Sequence, residues 1–136
     1  MAMIRALLDT NICIYTIRQR PPEVRVRFEA YQPGELAISS ITLSEMEYGA
    51  AKSQKPQQNR QSLLQFLLPL EILNYDATAA QAYGKVRTEL ERAGTPIGAM
   101  DLMIAAHALS LNLTLITHNL KEFQRVPGLR AESWVT

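Results

Sequence analysis

Residues 4–9 read Ile4-Arg5-Ala6-Leu7-Leu8-Asp9, a short apolar run that ends at a carboxylate. Such a run predicts a buried strand, because the strands of a parallel sheet are covered on both faces. A helical pattern follows over about residues 11–18 and stops before Pro21. The sequence therefore begins with a strand–helix unit that places Asp9 at the carboxyl end of the strand.

The rest of the chain continues to alternate apolar runs with helical patterns. Further strands are predicted over residues 36–38, 72–73, 113–116 and 130–135, and helices over 23–31, 40–52, 56–69, 79–93 and 102–109. Strands separated by helices need crossover connections, which give a parallel sheet with helices on both faces. We predict a three-layer α/β/α fold with a short, mostly parallel central sheet, in one domain over residues 1–136.

Composition sets mild limits on what this chain can be. The 136 residues carry a net charge of +1, so any affinity for a polyanion must come from local clusters of charge. The single Cys13 excludes an internal disulfide and a cysteine-based zinc site, and it is expected to act as a small apolar residue. Arg5 and Asp9 bracket the first apolar run, which is too short for a signal peptide or a membrane span. We expect a cytoplasmic protein that does not contact membranes.

Four short motifs each place an oxygen-bearing side chain near a junction between a strand and a helix. The four side chains are Asp9, Glu45, Asp101 and Asn119. Ligands of open parallel sheets gather outside the carboxyl ends of the strands, so these side chains can reach one crevice. Carboxylate and amide oxygens are suitable ligands for Mg²⁺. The pattern predicts a metal site.

Each of these residues also has a purely structural explanation. Asp9 can cap the helix that follows it, and Glu45 completes a T-x-x-E capping box with Thr42. The negative charge of Asp101 interacts favourably with the dipole at a helix start, and Asn119 can form a turn. His107 lies on an apolar helix and is expected to be a core residue. The four explanations are independent of one another, whereas one metal site explains the four residues together.

The motifs also resemble a known family, the PIN-domain nucleases, and more narrowly the VapC toxins of bacterial toxin–antitoxin pairs. The resemblance covers about residues 7–134, with every motif in the expected order. It rests on Leu7-Leu8-Asp9-Thr10-Asn11-Ile12-Cys13-Ile14, Ile41-Thr42-Leu43-Ser44-Glu45-Met46-Glu47-Tyr48-Gly49, Asp101-Leu102-Met103-Ile104-Ala105-Ala106-His107-Ala108 and the tail from Thr117-His118-Asn119 to Leu129.

The resemblance implies a metal-dependent endoribonuclease that is silenced by a cognate VapB-type antitoxin. It implies Mg²⁺ or Mn²⁺ as the cofactor and a homodimer with a groove for the C-terminal arm of the antitoxin. The implied substrate is RNA, with tRNA favoured and the anticodon region of initiator tRNA as the leading candidate. DNA would be contacted only through the antitoxin.

The resemblance also assigns roles to individual residues. Asp9, Glu45 and Asp101 match the three acids of the family, with Asp9 and Asp101 as direct metal ligands and Glu45 at the metal or at the attacking water. Asn119 stands where many members carry a fourth acid, which removes one charge and implies weaker binding of a second metal.

Smaller roles follow for the neighbouring residues. Thr10 and Thr117 match hydroxyl positions that steady the carboxylates in such sites. Asn11 is expected to position the first helix or the scissile phosphate, and His118 to contact RNA at the rim of the site.

The expected chemistry can be stated for the acids themselves. Closely packed carboxylates raise one another's pKa, and a divalent ion reverses that penalty and lowers the pKa of its bound water. We expect hydrolysis that leaves a 5′-phosphate and a 3′-hydroxyl. Basic residues near the motifs could hold the RNA backbone, or could simply be solvated. They form three groups: Arg18, Arg20, Arg25 and Arg27; Lys52, Lys55 and Arg60; and Lys121, Arg125 and Arg130.

Two alternatives belong to other functional classes. A haloacid-dehalogenase-like phosphatase also begins with an Asp after its first strand, but it needs a second Asp at the position of Asn11. A catalytically weak or inactive PIN-like module that binds RNA is the better alternative, because Asn119 departs from the four-acid pattern. Metal-dependent turnover would separate an enzyme from such a module.

Overall fold

The protein is described here by a computed structural model that covers residues 3–135. One sheet contains five strands in the order β3-β2-β1-β4-β5, and all four neighbouring pairs are parallel. The strands are β1 (Ala6–Leu8), β2 (Leu36–Ser39), β3 (Glu71–Leu73), β4 (Thr114–Ile116) and β5 (Ala131–Glu132). The predicted α/β class and parallel sheet are confirmed, and β1 lies at the centre.

Helices follow the strands as the sequence predicts, with one exception. They are α1 (Thr10–Arg18), α2 (Pro22–Glu29), α3 (Ser40–Ala51), α4 (Pro56–Leu67), α5 (Ala77–Arg92), α6 (Ala99–Ser110) and α7 (Leu120–Phe123). The short helix α7 was not predicted, because a single turn is too short to show a periodic pattern. Within the described range, no helix is both long and apolar enough to cross a membrane.

The two faces of the sheet bury separate hydrophobic clusters. Leu8 packs in one cluster with Ile12 of α1 and Phe66 of α4. Leu7 packs in the other cluster with Leu90 of α5 and Ile104 of α6. Successive side chains of a strand point to opposite faces, so β1 contributes to both clusters and helices cover both sides. This is the predicted three-layer arrangement.

Helix α3 begins three residues earlier than the proposed capping box requires. Its N-cap is Ser39, whose Oγ accepts a hydrogen bond of 3.0 Å from the N–H of Ile41. Thr42 is fully buried inside the helix. The capping-box explanation of Glu45 is therefore wrong, because Ser39 already caps this helix.

His107 is a core residue, as expected. Its Nδ1 lies 2.8 Å from Ser39 Oγ, and its ring meets Tyr75 edge to face at a centroid distance of 5.5 Å. Burial lowers the pKa of the imidazole, which favours the neutral ring. Cys13 is also fully buried in the hydrophobic cluster, and burial raises the pKa of its thiol.

Candidate metal centre

Asp9 is held at the carboxyl end of β1 by two hydrogen bonds. Its Oδ1 accepts from the N–H of Thr10 at 2.8 Å, and its Oδ2 accepts from Thr117 Oγ1 at 2.8 Å. The side chain therefore caps α1, as the structural explanation required, and it also joins β1 to the end of β4. Burial raises the pKa of Asp9 although both hydrogen bonds oppose the rise. A buried carboxylate of this kind is stabilised in its charged form by a nearby cation.

Glu45 is brought beside this strand end by helix α3. Thr10 Oγ1 donates a hydrogen bond of 2.7 Å to Glu45 Oε1 and lies 3.3 Å from Thr42 Oγ1. The Thr10 hydroxyl thus connects the start of α1 to Glu45 in the second turn of α3. The charge of Glu45 also raises the pKa of Asp9, which shows that the two carboxylates interact.

Asp101 lies in the first turn of α6, whose N-cap Gly98 supplies no side chain. Its pKa is raised to about 7. The causes are burial first, then a hydrogen bond with Glu122, and then the negative charges of Asp9, Glu122 and Glu45. All four carboxylates therefore act on one region at the edge of the sheet.

Glu122 is the residue that the sequence analysis missed. From helix α7, its Oε1 accepts from the N–H of Gly98 at 2.9 Å and its Oε2 accepts from Asn119 Nδ2 at 2.6 Å. The spacing Asn119-x-x-Glu122 was an available signal, because residues three apart meet on a helix start. Helix α7, which carries Glu122, is a single turn and shows no periodic pattern in the sequence.

This geometry changes the expected role of Asn119. Its side-chain amide holds Glu122 in place, and its backbone N–H donates to Thr117 Oγ1 at 3.0 Å. The acidic cluster therefore has a fourth carboxylate, one turn after Asn119. The expected weaker binding of a second metal, which followed from the neutral side chain of Asn119, stays a prediction.

The two remaining candidates lie at the rim. Asn11 is exposed on α1, and His118 is exposed with its ring against Tyr15, edge to face at 5.5 Å. Neither donates a hydrogen bond to the four carboxylates in the part of the chain that the structure describes. Their expected contacts with RNA stay predictions.

The donor set fits a hard divalent cation. It consists of carboxylates with an amide at its edge, and such oxygen ligands suit Mg²⁺ or Mn²⁺ rather than a softer metal. A methyl group built on Gly98 would lie 3.7 Å from Asp101 Oδ2 and 3.8 Å from Glu122 Oε1, so both carboxylates lie beside the backbone of Gly98. Over residues 3–135 no three acidic, His or Cys groups form a preformed metal cluster. Hydroxyl and amide donors orient three of the carboxylates, Asp9, Glu45 and Glu122.

Several of the basic residues are neutralised by partners. Arg25 pairs with Glu29, Arg27 with Glu132, and Arg60 with Glu47. Two of the predicted basic groups are therefore more nearly neutral than the sequence suggests. Arg125 Nη1 donates a hydrogen bond of 3.0 Å to the carbonyl of Pro96, which precedes α6.

Sequence comparison identifies relatives along nearly the whole chain. The model of the PIN domain family matches residues 6–129. A tRNA(fMet)-specific endonuclease VapC of Shigella flexneri is 49% identical over 132 residues, covering 97% of this chain and 99% of that protein. A ribonuclease VapC2 of Rickettsia felis is 46% identical over 129 residues, covering 94% and 96%.

Solved structures give the same picture. A chain of DNA-bound VapBC from Salmonella typhimurium matches with a TM-score of 0.92 and 48% identity, covering 97% of this chain and 99% of that chain. A chain of VapBC2 from Rickettsia felis, bound to a DNA fragment from its promoter, matches with a TM-score of 0.88 and 43% identity, covering 98% and 99%.

Proposed function

Because this chain belongs to the PIN-domain family, among its VapC ribonucleases, we propose that it is the metal-dependent toxin of a toxin–antitoxin pair and cleaves tRNA. The relatives named for tRNA(fMet) make initiator tRNA the leading substrate. The observation that carries the proposal is the convergence of three carboxylates, Asp9, Glu45 and Glu122, on Asp101, whose pKa is raised to about 7 by burial first and then by these neighbours. Such a cluster needs a divalent cation to hold its charge at neutral pH.

Asp9, Glu45, Asp101 and Glu122 are the residues that would hold Mg²⁺, or Mn²⁺ in its place. A divalent cation held by these residues would lower the pKa of its bound water and would neutralise charge on the scissile phosphate. Thr10 and Thr117 fix both oxygens of Asp9, so this carboxylate is already oriented before RNA arrives. Asn119 and the N–H of Gly98 do the same for Glu122.

The remaining side chains supply acid–base and binding functions. Glu45 has the length to orient the attacking water while Thr10 anchors its Oε1. His118 and Asn11 stand at the exposed rim, where the RNA backbone would pass. The products would carry a 5′-phosphate and a 3′-hydroxyl.

A VapB-type antitoxin is the proposed partner, because the similar solved structures are VapBC complexes. A groove of about 450 Å³ between α1, α2 and α4 offers a place for its C-terminal arm. Phe28 and Phe66 supply its apolar surface, and Arg25 and Glu29 supply polar edges. A homodimer in the cytoplasm, with DNA bound only through the antitoxin, completes the proposal.

Incubation of antitoxin-free protein with total tRNA tests this function. Discrete fragments should form with Mg²⁺ or Mn²⁺, disappear with EDTA, and be absent with Asp9→Asn. Intact tRNA in every lane would instead favour the inactive RNA-binding module. Fragments ending in 2′,3′-cyclic phosphates would contradict hydrolysis by a metal-bound water.

A further inference from the structure

We propose that a cavity between α5 and α6 binds one unstacked nucleobase of the RNA, beside the phosphate that is cut. The proposal rests on the ribonuclease function above and deepens it by assigning a base-recognition site. The cavity has a volume of about 200 Å³. Its lining includes Tyr83, Arg87, Leu90, Glu91, Ile97 and Leu102.

The cavity has an apolar floor and a polar opening. Leu90 and Leu102 are almost completely buried and lie at the bottom, whereas Arg87 and Glu91 are exposed at the mouth. Tyr83 is half-buried between them. A flat ring with polar edges fits such a site, because its faces contact apolar or aromatic groups and its edge reaches hydrogen-bonding groups.

The opening carries both a donor and an acceptor. Arg87 Nη1 donates to Tyr83 OH at 3.1 Å, and Arg87 Nε lies 3.2 Å from Glu91 Oε2. Both charged side chains are more than half exposed, and an ion pair of this kind contributes little stability, so a ligand can open it. Arg87 could then donate to a base carbonyl or ring nitrogen while Glu91 accepts from a base N–H, the complement of a hydrogen-bonding base edge.

The cavity adjoins the metal centre through shared backbone. Ile97 lines the cavity, and the next residue, Gly98, donates its N–H to Glu122. Leu102 lines the cavity and directly follows Asp101. The cavity and the acidic residues therefore share the segment from Ile97 to Leu102 at the start of α6, and a base next to a phosphate held by the carboxylates would lie on this side of the helix. This continuity favours RNA over an unrelated small molecule.

The test compares RNA binding by wild type and Tyr83→Leu. The probe is a short RNA copied from the anticodon stem-loop of initiator tRNA, with a single abasic position moved along it. The Kd is measured by fluorescence anisotropy in Ca²⁺, and cleavage is measured separately in Mg²⁺. Tyr48→Leu is the control, because Tyr48 also lies on a helix with a cation near its ring, Lys52 Nζ at 4.6 Å from the centroid, but outside the cavity.

We expect Tyr83→Leu to raise the Kd for the intact RNA roughly 5- to 100-fold, the range for a base that loses an aromatic partner. Tyr48→Leu should leave the Kd unchanged. When the abasic position replaces the recognised base, the Kd of wild type should rise to a similar degree. Wild type and Tyr83→Leu should then bind that RNA with equal Kd values. Arg87→Gln should reduce binding in the same position-dependent way.

Other results would overturn the base site. Equal Kd values for wild type and Tyr83→Leu would exclude a base-recognition site in the cavity. A higher Kd of Tyr83→Leu at every abasic position would exclude it as well. If Tyr83→Leu converts a dimer to a monomer in sedimentation, the cavity is covered by a second copy of the chain instead. Tight, Tyr83-dependent binding without cleavage would reject the proposed ribonuclease function while keeping the base site.

Discussion

At the scale of single residues, the candidate centre depends on how each carboxylate is held. Asp9 is fixed by Thr10 and Thr117, whereas Glu122 is fixed by Gly98 and Asn119. Side chains that orient metal ligands are typically worth 10- to 100-fold in metal affinity or activity. We therefore expect Asn119 to act by orienting Glu122 rather than by contributing a charge.

Replacing Glu122 tests the fourth carboxylate. Glu122→Gln should lower the rate of tRNA cleavage roughly 100-fold, because one negative charge leaves the cluster. Asn119→Ala should lower the rate of tRNA cleavage about 10-fold, because Glu122 loses a hydrogen-bond donor that orients it. Glu71→Gln, an exposed glutamate on β3, is the control. Full activity of Glu122→Gln would show that three acids suffice.

Removing the charge of Asp101 should stabilise the metal-free protein at high pH. The pKa of Asp101 is about 7 in the fold against 3.8 for the free group, so the native state binds more protons between those values. Stability is therefore lost as pH rises from about 4 to 7. Asp101 is about half-exposed, so solvent screening reduces the effect. We expect its charge to lower the free energy of unfolding at pH 8 by about 1 to 2 kcal/mol.

Thermal unfolding in EDTA measures this effect. Asp101→Asn should raise the Tm at pH 8 by about 3 to 6 °C, and the difference should vanish near pH 4. The depressed pKa of His107 acts in both proteins and cancels from the comparison. A lower Tm for Asp101→Asn at pH 8 would indicate that the carboxylate is stabilising rather than strained.

At the scale of elements, the position of each helix start decides which side chains reach the centre. Ser39 caps α3 and also contacts His107 of α6, so one hydroxyl joins the two helices that carry Glu45 and Asp101. The sequence predicted a helix over residues 40–52, but it could not show that His107 would lie against the residue that caps this helix. That contact depends on the packing of two helices distant in sequence.

Ser39→Ala should therefore destabilise the fold more than loss of an ordinary cap. Removing the cap costs about 1 kcal/mol, and leaving His107 Nδ1 without its buried partner costs about 1 to 2 kcal/mol more. Urea unfolding should show a decrease in the free energy of unfolding equal to the sum of these two costs. Ser44→Ala is the control, because Ser44 Oγ only donates to the carbonyl of Ser40 on an exposed face and should cost under about 0.5 kcal/mol. Equal effects of the two substitutions would contradict a special role for Ser39.

At the scale of the whole molecule, the alternation of strands and helices predicted most of the architecture. All five strands were expected near their observed positions, because buried parallel strands form apolar runs between helical patterns. The convergence of Asp9, Glu45 and Asp101 also followed from topology, since each lies near a strand's carboxyl end or a helix start. Glu122 was not predicted, because helix α7 is a single turn that is too short to show a periodic pattern, although the spacing Asn119-x-x-Glu122 is visible in the sequence.

The most direct test of the metal centre is a calorimetric titration of the antitoxin-free protein with Mn²⁺ at pH 7. Wild type should bind Mn²⁺ and release protons, because Asp101 is partly protonated at that pH before the cation enters. Repeating the titration in two buffers with different ionisation enthalpies measures that release. Asp9→Asn should bind at least about 10-fold more weakly, whereas Glu71→Gln should match wild type. Equal Mn²⁺ affinity in wild type and Asp9→Asn would contradict a divalent-metal site at this edge of the sheet.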